Sequence, residues 1–130
     1  MTNTGSSTPA ANPVGWFEIA GSDIEKTQAF YGDLFGWQFG DSPIGPGYKI
    51  VQAGEGPGGG VTTAEGGLPS TYAIFSVMVP DVAASCEQIK TLGGRVLVGP
   101  AEVPDSGGLT FANVEDIDGN HFGVFCPPAG

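Results

Sequence analysis

Two stretches of this chain, 58 positions apart, carry the same plan, and this repeat limits the fold more than any other feature. The first runs from the strand-like Val14-Gly15-Trp16-Phe17-Glu18-Ile19-Ala20 through Ser22-Asp23-Ile24-Glu25 to Phe30-Tyr31-Gly32-Asp33-Leu34-Phe35-Gly36-Trp37. The second runs from Thr71–Val79 through Pro80-Asp81 to Leu92-Gly93-Gly94. Adding 58 carries Asp23 to Asp81, Ile24 to Val82, Tyr31 to Ile89, Leu34 to Leu92 and Gly36 to Gly94. Each stretch reads as strand, capped helix and glycine stop. Ser22 with Glu25 three residues on forms a capping box for the first helix, Asp23 to Phe35. Ile24, Tyr31, Leu34 and Phe35 give that helix an apolar stripe, and Gly36 supplies a left-handed stop. In the second helix Asp81 is the N-cap. Val82, Cys86, Ile89 and Leu92 are its stripe, and Gly93-Gly94 its end.

Short strands fill the rest. In the first half they are expected at Gly36–Gly40, Tyr48–Ala53 and Gly58–Ala64, separated by the turns at 42–47 and 55–57. In the second they fall at Arg95–Val103, Leu109–Glu115 and Asn120–Cys126, the last two joined by an Asp118-Gly119 hairpin signal. The 23 glycines and the scarcity of helix formers suit many short strands better than a bundle. The expected class is α+β, two tandem βαβββ modules at about 13–66 and 68–127 in one domain spanning 13–130. Two curved sheets with their helices on one side would enclose a cavity between the other faces. Residues 1–12 are rich in Ser, Thr, Pro and Ala and read as a disordered tail rather than a secretory signal.

Charge narrows the partners. Four Lys and Arg against 14 Asp and Glu leave a net charge of −10, which repels phosphate backbones and anionic lipid. Nucleic acid and membrane are therefore not expected as partners, and no apolar run approaches the roughly 20 residues a bilayer span needs. Two cysteines, Cys86 and Cys126, read as reduced thiols of a cytoplasmic protein.

Three segments then resemble one family. They are Asp23 with Phe30–Trp37; Val79-Pro80-Asp81 with Ile89–Gly94; and Glu115-Asp116-Ile117-Asp118-Gly119-Asn120-His121-Phe122-Gly123-Val124-Phe125. Over Pro13 to Pro127 the chain resembles the vicinal oxygen chelate superfamily of glyoxalases, extradiol dioxygenases, epimerases and bleomycin-resistance proteins. The resemblance implies the paired-module fold and a homodimer. It also implies a divalent metal held by His, Gln or Glu on the first, fourth, fifth and eighth strands. Carried over, those positions fall on Trp16, within Gly58–Thr63, on Ile74 and on Gly123, none of which brings a carboxylate or imidazole. No metal and no cofactor is expected.

Strand alternation places the remaining candidates. With Trp16, Ile74 and Gly123 facing the cavity, as the resemblance implies for ligand positions, Glu18 and Ala20 face it too, as do Ser76 and Met78 on the fifth strand and His121 and Phe125 on the last. Glu18 and His121, the single histidine, are the candidate catalytic residues as an acid–base pair. In the competing reading His121 sits half-exposed beside a turn and Glu18 bonds a backbone amide. Trp16, Ile74, Ser76, Met78 and Phe125 are the candidate ligand-binding residues, with Trp16 as a stacking wall. Asp116 and Asp118 form a turn. Three functions follow: a metal-free protein binding a small aromatic or amphipathic molecule, a metal-independent lyase or isomerase using Glu18 and His121, or a metalloenzyme with relocated ligands. Four basic residues are too few for an anionic thiol or coenzyme A substrate.

Overall fold

The computed structural model describes residues 12–128. The tail expected over 1–12 therefore lies, except for Asn12, outside the described residues. The elements are β1 (Val14–Gly21), α1 (Ile24–Phe35), β2 (Gln38–Asp41), β3 (Tyr48–Gln52), β4 (Gly58–Thr63), β5 (Tyr72–Met78), α2 (Val82–Thr91), β6 (Arg95–Glu102), β7 (Thr110–Glu115) and β8 (His121–Cys126).

All eight strands join one sheet in the order β2-β3-β4-β1-β5-β8-β7-β6. From the centre outward, one side reads β1, β4, β3, β2 and the other β5, β8, β7, β6. Each half pairs its first strand parallel to its last, β1 with β4 and β5 with β8, and the rest antiparallel. The antiparallel β1–β5 pair joins the halves. These are the two tandem βαβββ modules of the expected α+β fold.

The helix starts repeat closely. Asp23 (φ −149°, ψ 111°) and Asp81 (φ −154°, ψ 106°) have the same extended backbone. Asp23 Oδ1 accepts from the amides of Glu25 and Lys26, and Asp81 Oδ1 from that of Ala84. The cap of α1 is thus Asp23 and not Ser22, because a carboxylate directly before the helix reaches the free amides of its first turn. The helix ends differ. Gly36 takes the left-handed conformation at φ 75°, but its counterpart is Gly93 at φ 100°, not Gly94. The 58-residue offset slips by one because α2, with 10 residues against 12 in α1, ends two positions early and Leu92 stands as its C-cap before the glycine. Gly94 is held to glycine by crowding instead, since a Cβ there would overlap the Glu115 carbonyl and sit 2.7 Å from Ile89 Cγ2.

Burial is uneven. Val79, Val82, Cys86, Ala112, Val114 and Val124 form a tight cluster under α2. By contrast α1 buries none of its residues. Leu34 and Phe35 are 58% and 57% exposed, so the stripe expected there does not enter a core. The contacts on this side are aromatic instead: Tyr31 stacks on Trp37 at 5.5 Å, and Trp37 meets Phe17 at 5.6 Å. Leu92 is the C-cap of α2 and is exposed, not part of its apolar stripe. Cys86 and Cys126 are free. Among the described residues no helix is long and apolar enough to cross a membrane.

Candidate functional site

Register sorts the side chains onto two faces. Trp16 lies opposite Ser76, Glu18 opposite Ile74, and Ala20 opposite Tyr72. On β8, Gly123 pairs with Ser76 and Phe125 with Met78, so His121 shares their face. Phe17, by contrast, contacts Trp37 beside α1. All the candidates named from the sequence therefore stand on the face turned away from the helices.

On that face Glu18 is the centre of a bonded chain. The Trp16 indole Nε1 donates to the Tyr48 hydroxyl at 3.0 Å, and that hydroxyl donates to Glu18 Oε1 at 2.8 Å. The Tyr72 hydroxyl donates to Glu18 Oε2 at 2.5 Å. The direction is unambiguous, since an indole N–H can only donate and a carboxylate only accepts. Burial, reinforced by the Glu18 charge, raises the pKa of both phenols far above the ordinary range and keeps them as neutral donors. Glycine makes the arrangement possible. A Cβ on Gly58 would come within 2.8 Å of the Trp16 ring, and one on Gly60 would overlap the Tyr48 ring. The two rings thus lie over bare backbone of β4.

His121 belongs to a second arrangement. Its Nε2 lies 2.8 Å from Asn113 Oδ1, an acceptor, so Nε2 carries the proton and Nδ1 a lone pair. Nδ1 is buried without a partner among the described residues. Burial pushes the imidazole below its ordinary value, and the nearby Glu115 charge offsets only part of this. The Tyr72 ring stands edge-on to His121 at 4.7 Å. Glu18 and His121 are therefore not bonded to each other; Tyr72 separates them. Glu18 binds phenols rather than a backbone amide, and His121 is half-buried at the start of β8, just after the turn. Asp116 serves that turn, accepting from the amides of Asp118 and Asn120.

Ser76 is buried and stands over Gly123, while Met78 and Phe125 pack together beside Gly15. Ile74 is half-buried between the two arrangements. Two open grooves lie on the helix-bearing side and its rim. One of about 500 Å³ runs past Ile19, Lys26, Phe30 and Tyr31 to Tyr72. The other, of about 450 Å³, follows Phe17, Ile19, Trp37 and Phe75. Tyr48, Tyr72 and Asn113 were missed in the sequence. Tyr72 alone carried a signal, being two residues before Ile74 and so on its face.

The model of the glyoxalase/bleomycin resistance protein/dioxygenase superfamily matches residues 14–124. The chain belongs to this superfamily. A glyoxylase-like domain-containing protein of Didymella fabae is 28% identical over 126 residues, covering 88% of this chain and 94% of that one. CFP32 of Mycobacterium bovis, which carries the name glyoxylase, is 25% identical over 103 residues. The match covers 74% of this chain and 39% of CFP32, so the chain spans well under half of that relative. Among solved structures, a superfamily member from Vibrio splendidus superposes with a TM-score of 0.62 at 16% identity, covering 89% of this chain and 99% of that one. Methylmalonyl-CoA epimerase from Mycobacterium tuberculosis gives 0.57 at 13%, covering 89% and 88%. At such identities these likenesses concern the fold.

The metal that the superfamily resemblance implies does not fit the residues present. Trp16, Ile74 and Gly123 offer no donor, and Gly60, which pairs with Glu18 on β4, has no side chain. Both Glu18 oxygens and His121 Nε2 already have partners. Among the described residues no three His, Cys, Asp or Glu side chains gather where an ion could be held.

Proposed function

We propose that this superfamily member binds a small aromatic or amphipathic molecule on the sheet face of Trp16, Glu18, Tyr72, Ile74 and Phe125, without a metal. The observation that carries this reading is the Trp16–Tyr48–Glu18–Tyr72 chain of hydrogen bonds, which begins at Trp16, the position onto which the family's first-strand metal ligand carries over. Such a chain fixes aromatic walls and one acceptor in advance, which lowers the ordering cost of binding. The lyase or isomerase reading finds less support: a base needs a lone pair within reach of its substrate, and His121 Nδ1 is shut away. Free thiols suit a cytoplasmic protein. The exposed apolar residues of α1, Phe30, Leu34 and Phe35, suit a homodimer.

The test is a thermal-shift screen of small aromatic metabolites, charged and neutral, followed by calorimetry and an assay for conversion of each hit. Trp16→Ala should weaken a hit about tenfold or more, by loss of stacking and apolar contact. His121→Asn should leave binding near the wild-type value. Conversion of a hit by the wild type, abolished in His121→Asn or Glu18→Gln, would replace the binding reading with the catalytic one.

A further inference from the structure

Glu18 is a half-buried carboxylate without a cation beside it. Among the described residues the basic side chains go elsewhere. Lys49 pairs with Asp41 at 2.8 Å, Lys90 with Glu87 at 2.7 Å and Arg95 with Glu115 at 3.1 Å. The fourth, Lys26, stands on α1 and lines the groove at the helix side. A carboxylate drawn partly out of water is costly unless a positive group balances it. Here its partners are two neutral phenols, which satisfy one lone pair on each oxygen and leave the charge itself uncompensated. Three aromatic rings, those of Trp16, Tyr48 and Tyr72, are bonded into the same cluster. Aromatic faces are the negative side of the ring quadrupole and attract weakly hydrated organic cations. A hard divalent ion would need several oxygen ligands in one shell, and this cluster holds a single carboxylate. The net charge of −10 draws cations toward the whole molecule.

We propose that the molecule bound on this face carries an organic nitrogen cation, an ammonium or quaternary ammonium group, seated against Glu18 and the rings of Trp16, Tyr48 and Tyr72. This rests on the ligand-binding reading of the same face and adds the charge of the ligand to it.

The experiment uses three phenols of similar shape that differ in charge: para-hydroxyphenyl trimethylammonium, para-tert-butylphenol and para-phenolsulfonate. Affinity of the full chain for each is measured by calorimetry at low and at physiological salt. The cation should bind about tenfold or more tighter than the neutral isostere, and the sulfonate weakest. Glu18→Gln should remove most of the cation's advantage over the neutral phenol, leaving only what the rings supply, while Glu102→Gln, which removes the same charge from an exposed strand position, should not. Equal affinity of cation and neutral phenol would overturn the inference and leave the ligand-binding reading standing. So would a preference that Glu102→Gln reduces as much as Glu18→Gln, or one that vanishes at physiological salt, because the attraction would then be diffuse. Failure of all three probes to bind would overturn the inference and count against the reading of the face as well. The wild-type comparison needs no variant, so a poorly folding Glu18→Gln leaves it decisive.

Discussion

Tyr72 stands edge-on against His121, ring centroids 4.7 Å apart and planes at 74°, while its hydroxyl donates to Glu18. One tyrosine therefore keeps apart the two polar residues that an acid–base mechanism would join. It also links two otherwise separate arrangements, the Glu18 cluster of the first half and the His121–Asn113 pair of the second. The antiparallel β1–β5 pairing that joins the modules is what makes this contact possible, since it sets Tyr72 opposite Ala20 and diagonal to Glu18.

The two phenols differ in what depends on them. Tyr48→Phe removes a donor to Glu18 and strands the Trp16 indole N–H of a half-buried side chain against the buried Tyr48 ring. Loss of a hydrogen bond to a charged group together with an orphaned donor should cost about 2 kcal/mol. Tyr72→Phe removes one bond from a more open ring and should cost about 1 kcal/mol. Urea unfolding of both variants checks this, with the midpoint shifting and the slope unchanged. Equal costs would mean that the Trp16 bond contributes nothing.

Stability should form a plateau in pH bounded by these same groups. The His121 imidazole is held below its ordinary 6.5, so the unfolded chain takes up a proton that the fold resists. Stability is whole above about pH 6.5 and falls as pH drops toward the folded-state value. The phenols of Tyr48 and Tyr72 are raised above their ordinary 10.0, so the unfolded chain releases protons first. Stability is whole below about pH 10 and is lost as pH rises beyond it. His121→Asn should flatten the acid limb alone, and Tyr72→Phe should lessen the alkaline one. Unfolding free energies measured across pH check both signs.

Dialysis against a chelator should leave the melting temperature unchanged, and added zinc or nickel should not raise it. The donor positions are taken by Trp16, Ile74 and Gly123, and a ligand binding only the folded state would have to stabilise it. Elemental analysis finding about one ion per chain after dialysis, with stability falling on chelation, would contradict this.

With Trp16 and Ile74 set on one face by the family's ligand positions, alternation along β1 and β5 was enough to add Glu18 and Ser76 to it, because a period of two needs no tertiary knowledge. The partners of Glu18 were beyond that reach. Tyr48 and Tyr72 lie 30 and 54 residues from it, and only the pairing of β3 with β4, of β4 with β1 and of β1 with β5 brings them near. Asn113 likewise reaches His121 across the β7–β8 hairpin. The α1 stripe misled for a different reason. Helical spacing reports which residues share a side, not whether anything covers that side, and around Leu34 and Phe35 the described residues supply no cover. At the caps, two adjacent residues, Ser22 and Asp23, both suit the role, and only backbone geometry chooses between them.

Gly60 tests whether the aromatic cluster is built on bare backbone. A methyl group there would overlap the Tyr48 ring, whose hydroxyl serves both Trp16 and Glu18. Because Tyr48 is buried, the ring has little room to retreat, and overpacking of this kind costs about 1 to 3 kcal/mol. Gly60→Ala should therefore destabilise by about that amount. It should also alter the near-ultraviolet dichroism of the displaced aromatic rings. Gly66→Ala, where nothing stands within 4 Å, should be nearly neutral and serves as the control. The sharper measurement is the double mutant. If the cost comes from the ring, Gly60→Ala should become almost free in a Tyr48→Ala background, giving a coupling of about 1 kcal/mol or more. Additive costs would place the damage in the β3–β4 backbone instead, and Tyr48 would lose its role as the ring that closes over the fourth strand.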